Sequence, residues 1–230
     1  AHQALRTAAR RGTALDVVAF DRGGHTSYSA CGIPYWVAGD VPDGATLVAR
    51  TAEQHRAAGI DLRMRTEVEG IDPAAGVVSV RELDSGRTDR VGYDQLVIAT
   101  GASPVVPDWA RGPAGALLPG VRAVHDLDDG AAWIDRLTGS ARPRRAAVVG
   151  GGYIGVEMAE AFLRRGLEVS LVTRGEGMST LEPELGARVR EAMVRAGVEV
   201  VTGVAVDGLD SVDGRLSCLA AGERCLEVDV

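Results

Sequence analysis

Apolar and polar positions change their rhythm several times along the chain, and each change marks an element. Residues 2–11, HQALRTAARR, read as a helix that lacks an entry signal. Residues 15–20, LDVVAF, are an apolar run closed by Asp21, as in a buried strand. A polar loop then leads to CGIPYWVAG at 31–39. Thr51 and Gln54 have capping-box spacing and start a helix through about residue 58. Short runs of strand character at 61–71, 77–83 and 89–94 are separated by turn residues at 72–76 and 84–86, so a small meander is expected. QLVIAT, 95–100, reads as another buried strand, followed at once by Gly101. The proline- and glycine-rich stretch 104–120 is the best domain boundary.

The second half is more regular. Strands are expected at 144–149, 167–173 and 198–203. Helices are expected from Tyr153 to about residue 165 and over 181–197, with Pro183 in the first turn. A hairpin should close the chain at 214–229. Strands that alternate with helices imply a parallel sheet with right-handed crossovers. The fold class is therefore α/β.

Gly150, Gly152 and Gly155 form a G-x-G-x-x-G pattern that follows a strand and opens a helix. In that context the first glycine permits the tight turn. The second lets the backbone approach a pyrophosphate, and the third lets the helix pack on the strand. The helix start offers its N–H groups to phosphate. The strand that follows ends at Thr173 and Arg174. A ribose-binding acid is usual there for NADH. Arg174 would instead pair with a 2′-phosphate, which favours NADPH over NADH. Glu176, just beyond, is the alternative that would restore the acid.

The same arithmetic applies to the N-terminal half. An acid closing the second strand lies about 20 residues after a glycine turn. Counting back from Asp21 reaches the first residues, so the chain reads as a nucleotide fold without its first strand and turn. Two Rossmann-like three-layer domains are expected, both incomplete. One spans 1–112 and would bind a nucleotide. The other spans 113–230, lacks its last strand and binds NAD(P).

Composition removes several other functions. The hydrophobic share is 46%, the charged share 25%, and all 25 cationic residues are arginine. Without lysine, neither a Walker-type phosphate loop nor Schiff-base chemistry is available. A net charge of -7 argues against nucleic acid as a partner. No apolar run approaches the roughly 18–20 residues that span a bilayer, so no membrane partner is expected. No signal-peptide pattern opens the sequence. The cysteines, 31, 218 and 225, are too few and scattered for a disulfide framework, which points to a reducing, cytoplasmic compartment. Cys218 and Cys225 read as structural residues of the last hairpin. The histidines at 2, 25, 55 and 125 have no metal-ligand spacing.

The segment TSYSACGIPYW (26–36), with Asp21, the ATG at 99–101 and GGGYIGVE at 150–157, resembles the FAD-dependent pyridine nucleotide–disulfide oxidoreductases. It is most similar to their single-cysteine branch: coenzyme A-disulfide reductases, with NADH oxidases, NADH peroxidases and persulfide reductases. The resemblance covers essentially the whole chain. It implies that Asp21 and Arg22 serve the FAD ribose and that Val68 reads the adenine through its backbone. It implies that Ala99, Thr100 and Gly101 pass close to the flavin nucleotide. Tyr153 would cover the flavin until nicotinamide displaces it, Ile154 would lie beside it in the turn, and Glu157 would lie near the nicotinamide. Cys31 would be the redox cysteine, on a helix start that stabilises its thiolate. Arg10 and Ser27 would contact coenzyme A. The whole protein would be a homodimer with a small-molecule disulfide as substrate.

Some positions depart from that pattern. Ala30 stands where the reductases often carry asparagine, and His125 where relatives often have arginine. Pro34 and Tyr35 are closer to the reductases. The expected activity is NAD(P)H-dependent reduction of a small-thiol disulfide through FAD and Cys31. An oxidase, peroxidase or persulfide reductase is the alternative within the family. A bare nucleotide-binding module is the alternative of another class.

Overall fold

The computed structural model describes residues 1–230. Helix α1 (His2–Arg10) and strand β1 (Val17–Phe20) open the chain. A 3-10 turn (Ala30–Gly32) runs directly into α2 (Ile33–Ala38), and a second 3-10 turn (Gly44–Leu47) precedes α3 (Ala52–Ala57). Strands β2 (Ile60–Arg63), β3 (Thr66–Asp72), β4 (Val77–Glu82) and β5 (Thr88–Gly92) follow. Beyond an irregular stretch come α4 (Leu127–Thr138), β6 (Arg145–Val149), α5 (Tyr153–Arg164), β7 (Glu168–Val172), α6 (Pro183–Ala196) and β8 (Glu199–Val201). Strands β9 (Val206–Val212), β10 (Arg215–Ala221) and β11 (Arg224–Glu227) close the chain. The chain divides into two units, 1–29 with 47–102, and 30–46 with 103–230.

In the first unit β1 pairs in parallel with β2, Val17 opposite Ile60. Helix α3 starts with the expected capping box: Thr51 Oγ1 accepts from the Gln54 N–H, and Gln54 Oε1 accepts from the Thr51 N–H. Such a cap stabilises a helix by about 1 kcal/mol. Strands β3, β4 and β5 form the antiparallel meander. Arg81 lies across its face, paired with Glu67 and Glu69.

Three expectations are corrected here. Strand β2 pairs with β1, not with the meander. Strand β1 is only partly covered, with Val18 39% exposed. Residues 95–100 form no strand at all, and Val97 and Ile98 are 85% and 68% exposed. An apolar run supplies side chains for a core. It does not supply the neighbouring strand that a ladder of hydrogen bonds requires.

In the second unit β6, β7 and β8 form a parallel sheet, with Val148 opposite Leu171. Leu171 and Val172 are fully buried in it. Helix α5 connects β6 to β7 and covers the sheet with Met158, Ala159 and Phe162. The Trp133 ring of α4 meets the Phe162 ring edge-on, 4.9 Å between centroids. The sheet β9–β10–β11 packs through Leu216, Leu219 and Leu226 against Val172 and Val201. Each such apolar side chain contributes roughly 1.5–3 kcal/mol on burial.

Helix α4 is an element the sequence pattern did not announce. Its N-cap is Asp126, which accepts from the Asp129 N–H, while Asp129 accepts from the Asp126 N–H. The closing hairpin is a three-stranded sheet. Cys218 and Cys225 form a disulfide between β10 and β11, with Cα atoms 5.5 Å apart. They lie seven positions apart in sequence, and the antiparallel turn brings them together.

Helix α2 belongs to the second unit, where Ile33 and Val37 are buried. It packs on α4 and α5. The Trp36 ring lies against Gly130 of α4 so closely that a Cβ at Gly130 would come within 2.9 Å of it.

Candidate functional site

The turn between β6 and α5 has the geometry its glycines allow. Gly150 has φ +118, a value that side chains rarely tolerate. A Cβ on Gly155 would collide with the Gly150 carbonyl oxygen, so α5 can approach the turn only through glycine. A Cβ on Gly151 would lie 3.0 Å from Gly177. Gly152, the N-cap of α5, is different, because a Cβ there would meet nothing within 4 Å. No side chain caps this helix. Its first N–H groups therefore face open space, which is what a pyrophosphate requires. Tyr153 and Ile154 on the first turn are both more than half exposed.

The end of β7 stands beside that turn. Gly150, Gly151, Gly152, Thr173 and Arg174 line one end of a cavity of about 830 Å³, which continues past Trp109. Glu176 is not among its lining residues. Its carboxylate lies 2.5 Å from Arg190 Nη1 of α6, and its carbonyl lies 3.1 Å from the same nitrogen. The acid that could have served a ribose is thus paired with α6, while Arg174 remains on the cavity wall.

Cys31 is an exposed thiol in the 3-10 turn Ala30–Gly32. It lies two residues before α2 rather than on the helix itself, which corrects the expected position. Pro34 and Tyr35 line a small cleft with Glu157 and Glu160 of α5. The structure therefore puts Cys31, Tyr153 and Glu157 in one unit, the first on the turn into α2 and the others on α5.

The residues assigned to FAD lie in the first unit. Asp21 follows β1 directly and accepts from the Gly23 N–H through Oδ1 at 2.8 Å. Its second oxygen remains available to a ribose hydroxyl. Arg22 is exposed beside it. Val68 lies on β3 where the register with β4 shifts. Ala99, Thr100 and Gly101 are exposed and irregular, with Gly101 at φ +69. Asp21 fits an adenosine ribose. The 99–101 segment does not have the strand-end geometry expected of it.

Ser27 is the centre of a cluster that sequence spacing did not reveal. Its backbone has φ 51, unusual for serine, and its carbonyl accepts from the Ala49 and Arg50 N–H groups. Ser27 Oγ lies 2.9 Å from His55 Nε2, and His55 Nδ1 lies 2.8 Å from His2 Nε2. Arg50 Nη1 lies 2.7 Å from the same His2 nitrogen. Arginine can only donate, so His2 Nε2 accepts. The His55 ring bridges His2 and Ser27 through its two nitrogens. Burial first, and the Arg50 guanidinium second, hold both imidazoles below the ordinary histidine value. No carboxylate pairs with Arg50 or with either ring. Arg10 is not part of this cluster. It lies eight residues along α1 from His2, about 12 Å at helical rise.

The contacts that build this cluster span 28, 48 and 53 residues. No local pattern could have found it. Its local excess of arginine and histidine over acid, in a chain of net charge -7, emerges only on folding.

A family model described as pyridine nucleotide-disulphide oxidoreductase matches residues 1–230. The NADH oxidase of Enterococcus faecalis is 32% identical over 162 residues, 68% of this chain and 34% of that protein. The NAD(P)H coenzyme A polysulfide/persulfide reductase of Pyrococcus horikoshii is 39% identical over 163 residues, 70% of this chain and 34% of that protein. The solved structure of an NAD-dependent persulfide reductase from A. fulgidus superposes with a TM-score of 0.87 at 27% identity, covering 100% of this chain and 42% of that one. The chain spans less than half the length of each. No helix is long and apolar enough to cross a membrane.

Proposed function

We propose, from the premise that the chain belongs to the pyridine nucleotide-disulphide oxidoreductase family, that it carries electrons from NADPH by way of FAD to Cys31 and on to a small-thiol disulfide of the coenzyme A class. The observation that carries this reading is the exposed Cys31 thiol on the turn into α2, a helix packed along the same α5 whose first turn is open to phosphate. An NADH oxidase and a coenzyme A-dependent reductase both stand among the relatives, and the chain's own residues favour the second.

NADPH is favoured by Arg174 on the cavity wall and by the occupied Glu176. A guanidinium pairs with a 2′-phosphate, and a carboxylate would repel it. FAD would be held by the first unit through Asp21, with Arg22 and Val68 beside it. When bound there, it supplies the means to accept hydride and to pass on an electron pair.

The coenzyme A reading rests on the Ser27 cluster. Arg50, two imidazoles and a hydroxyl, with no carboxylate among them, suit the phosphates of that thiol. The Cys31 thiolate attacks one sulfur of the substrate disulfide. A mixed disulfide forms, the substrate S–S bond breaks, and one coenzyme A thiolate leaves. Two electrons and a proton from NADPH then cleave the mixed disulfide. The Cys31 thiolate returns, and the second coenzyme A leaves as the thiol.

The test is NADPH-dependent reduction of coenzyme A disulfide by the protein that carries this chain, with and without Cys31→Ser. Loss of reduction in the variant supports the proposal. Retention of reduction overturns it.

A further inference from the structure

We propose that Arg164 and Arg165 are positioning residues that couple occupancy of the Gly150–Gly155 turn to the reactivity of Cys31. This rests on the reading of that turn as the dinucleotide site. The two ends of α5 hold different things. Its N-cap, Gly152, lines the cavity. Its last residue, Arg164, and the C-cap Arg165 hold the end of α2.

The last four carbonyls of a helix have no partner inside it. The left-handed residue Gly39, with φ 96, closes α2 by donating to the Tyr35 and Trp36 carbonyls. Val37 O is served from elsewhere. Arg165 Nε donates to it at 2.6 Å, across 128 residues of sequence. The Arg165 guanidinium also fills the place of a Gly39 Cβ, which would lie 3.3 Å from it. Arg164 pairs with Asp40, the next residue. Two adjacent arginines of one helix thus hold the end of another.

Helix α2 has six residues, about 9 Å of helix, and cannot hold its own position. It is placed by α5 at its end and by the Trp36 contact with Gly130 on its side. The turn that carries Cys31 ends at Gly32, and α2 begins at Ile33, so no flexible residue separates them. A phosphate that orders the start of α5 therefore orders the Cys31 turn as well.

The experiment uses the protein that carries this chain and follows the reaction of Cys31 with dithionitrobenzoate, read by mass on the Cys31 peptide, with and without NADP⁺. Nucleotide binding is followed separately by titration. Saturating NADP⁺ should slow the reaction by about fivefold, the lower end of ordinary coupling between sites. In Arg165→Ala the two rates should agree within about twofold while NADP⁺ still binds. Asp40→Asn, which removes one exposed charge, should reduce the effect in the same direction and serves if Arg165→Ala does not fold. A wild-type rate that ignores bound NADP⁺ overturns the coupling, as does an undiminished effect in the variants. Failure of NADP⁺ to bind the wild-type protein would instead refute the dinucleotide reading, and the coupling with it.

Discussion

Arg190 Nη1 contacts Glu176 twice, at the carboxylate oxygen and at the main-chain carbonyl. In the proposed dinucleotide site, that pairing decides which charge would meet the ribose at the end of β7. Arg174→Ala should weaken NADPH binding by roughly 10- to 100-fold, the range for a charge-assisted hydrogen bond. NADH binding should change little. Arg190→Ala should also weaken NADPH, because Glu176 is released. Fluorescence titration with both nucleotides checks this, and equal losses for NADH and NADPH would contradict it.

Gly152 and Gly155 should respond differently to alanine. At Gly152 the added methyl meets no protein atom, and φ −88 suits any residue. Gly152→Ala should therefore keep its stability within about 0.5 kcal/mol. Its NADPH affinity should drop by about tenfold or more, since the methyl occupies the approach to the helix start. Gly155→Ala should lose stability, by about 1–3 kcal/mol, because α5 must move off the Gly150 carbonyl. Thermal melts alongside nucleotide titration separate the two.

His2 and His55 predict a pH dependence with a definite sign. Both are held below the ordinary value of 6.5, first by burial and then by Arg50. Between the lowered values and 6.5 the unfolded chain binds more protons than the folded one, so stability rises with pH there. The contribution is fully present above 6.5 and is lost as pH falls through that window. Urea unfolding at about pH 7.5 and about pH 5.5 should show a drop that the double variant His2→Phe, His55→Phe lacks. An equal drop in both proteins would contradict the prediction.

Much of the second unit was legible because its information is local. The strand, glycine turn, helix and following strand at 145–172 lie within one stretch, and each glycine has a steric task there. Helix α4 was not legible. Its cap uses Asp129 rather than glutamate, and Gly130 in its first half lowers helix propensity. That glycine is needed for Trp36, 94 positions earlier, and no local rule contains it. Residues 95–100 failed in the opposite way: their apolar run describes a strand, but a strand also needs a paired neighbour.

The candidate site divides along the same line. Cys31, Arg174 and the glycines could be named from motif and order. The Ser27 cluster and the hold of Arg165 on Val37 join residues 28 to 128 positions apart. These depend on tertiary structure alone.

The most direct test of the proposed chemistry is the mass of Cys31 itself. The protein carrying this chain is treated with coenzyme A disulfide, and the Cys31 peptide is then weighed before and after NADPH. The account predicts a coenzyme A adduct on Cys31 that NADPH removes, with one thiol recovered. An unmodified Cys31 in protein that still reduces the disulfide, or an adduct that NADPH leaves in place, would contradict it.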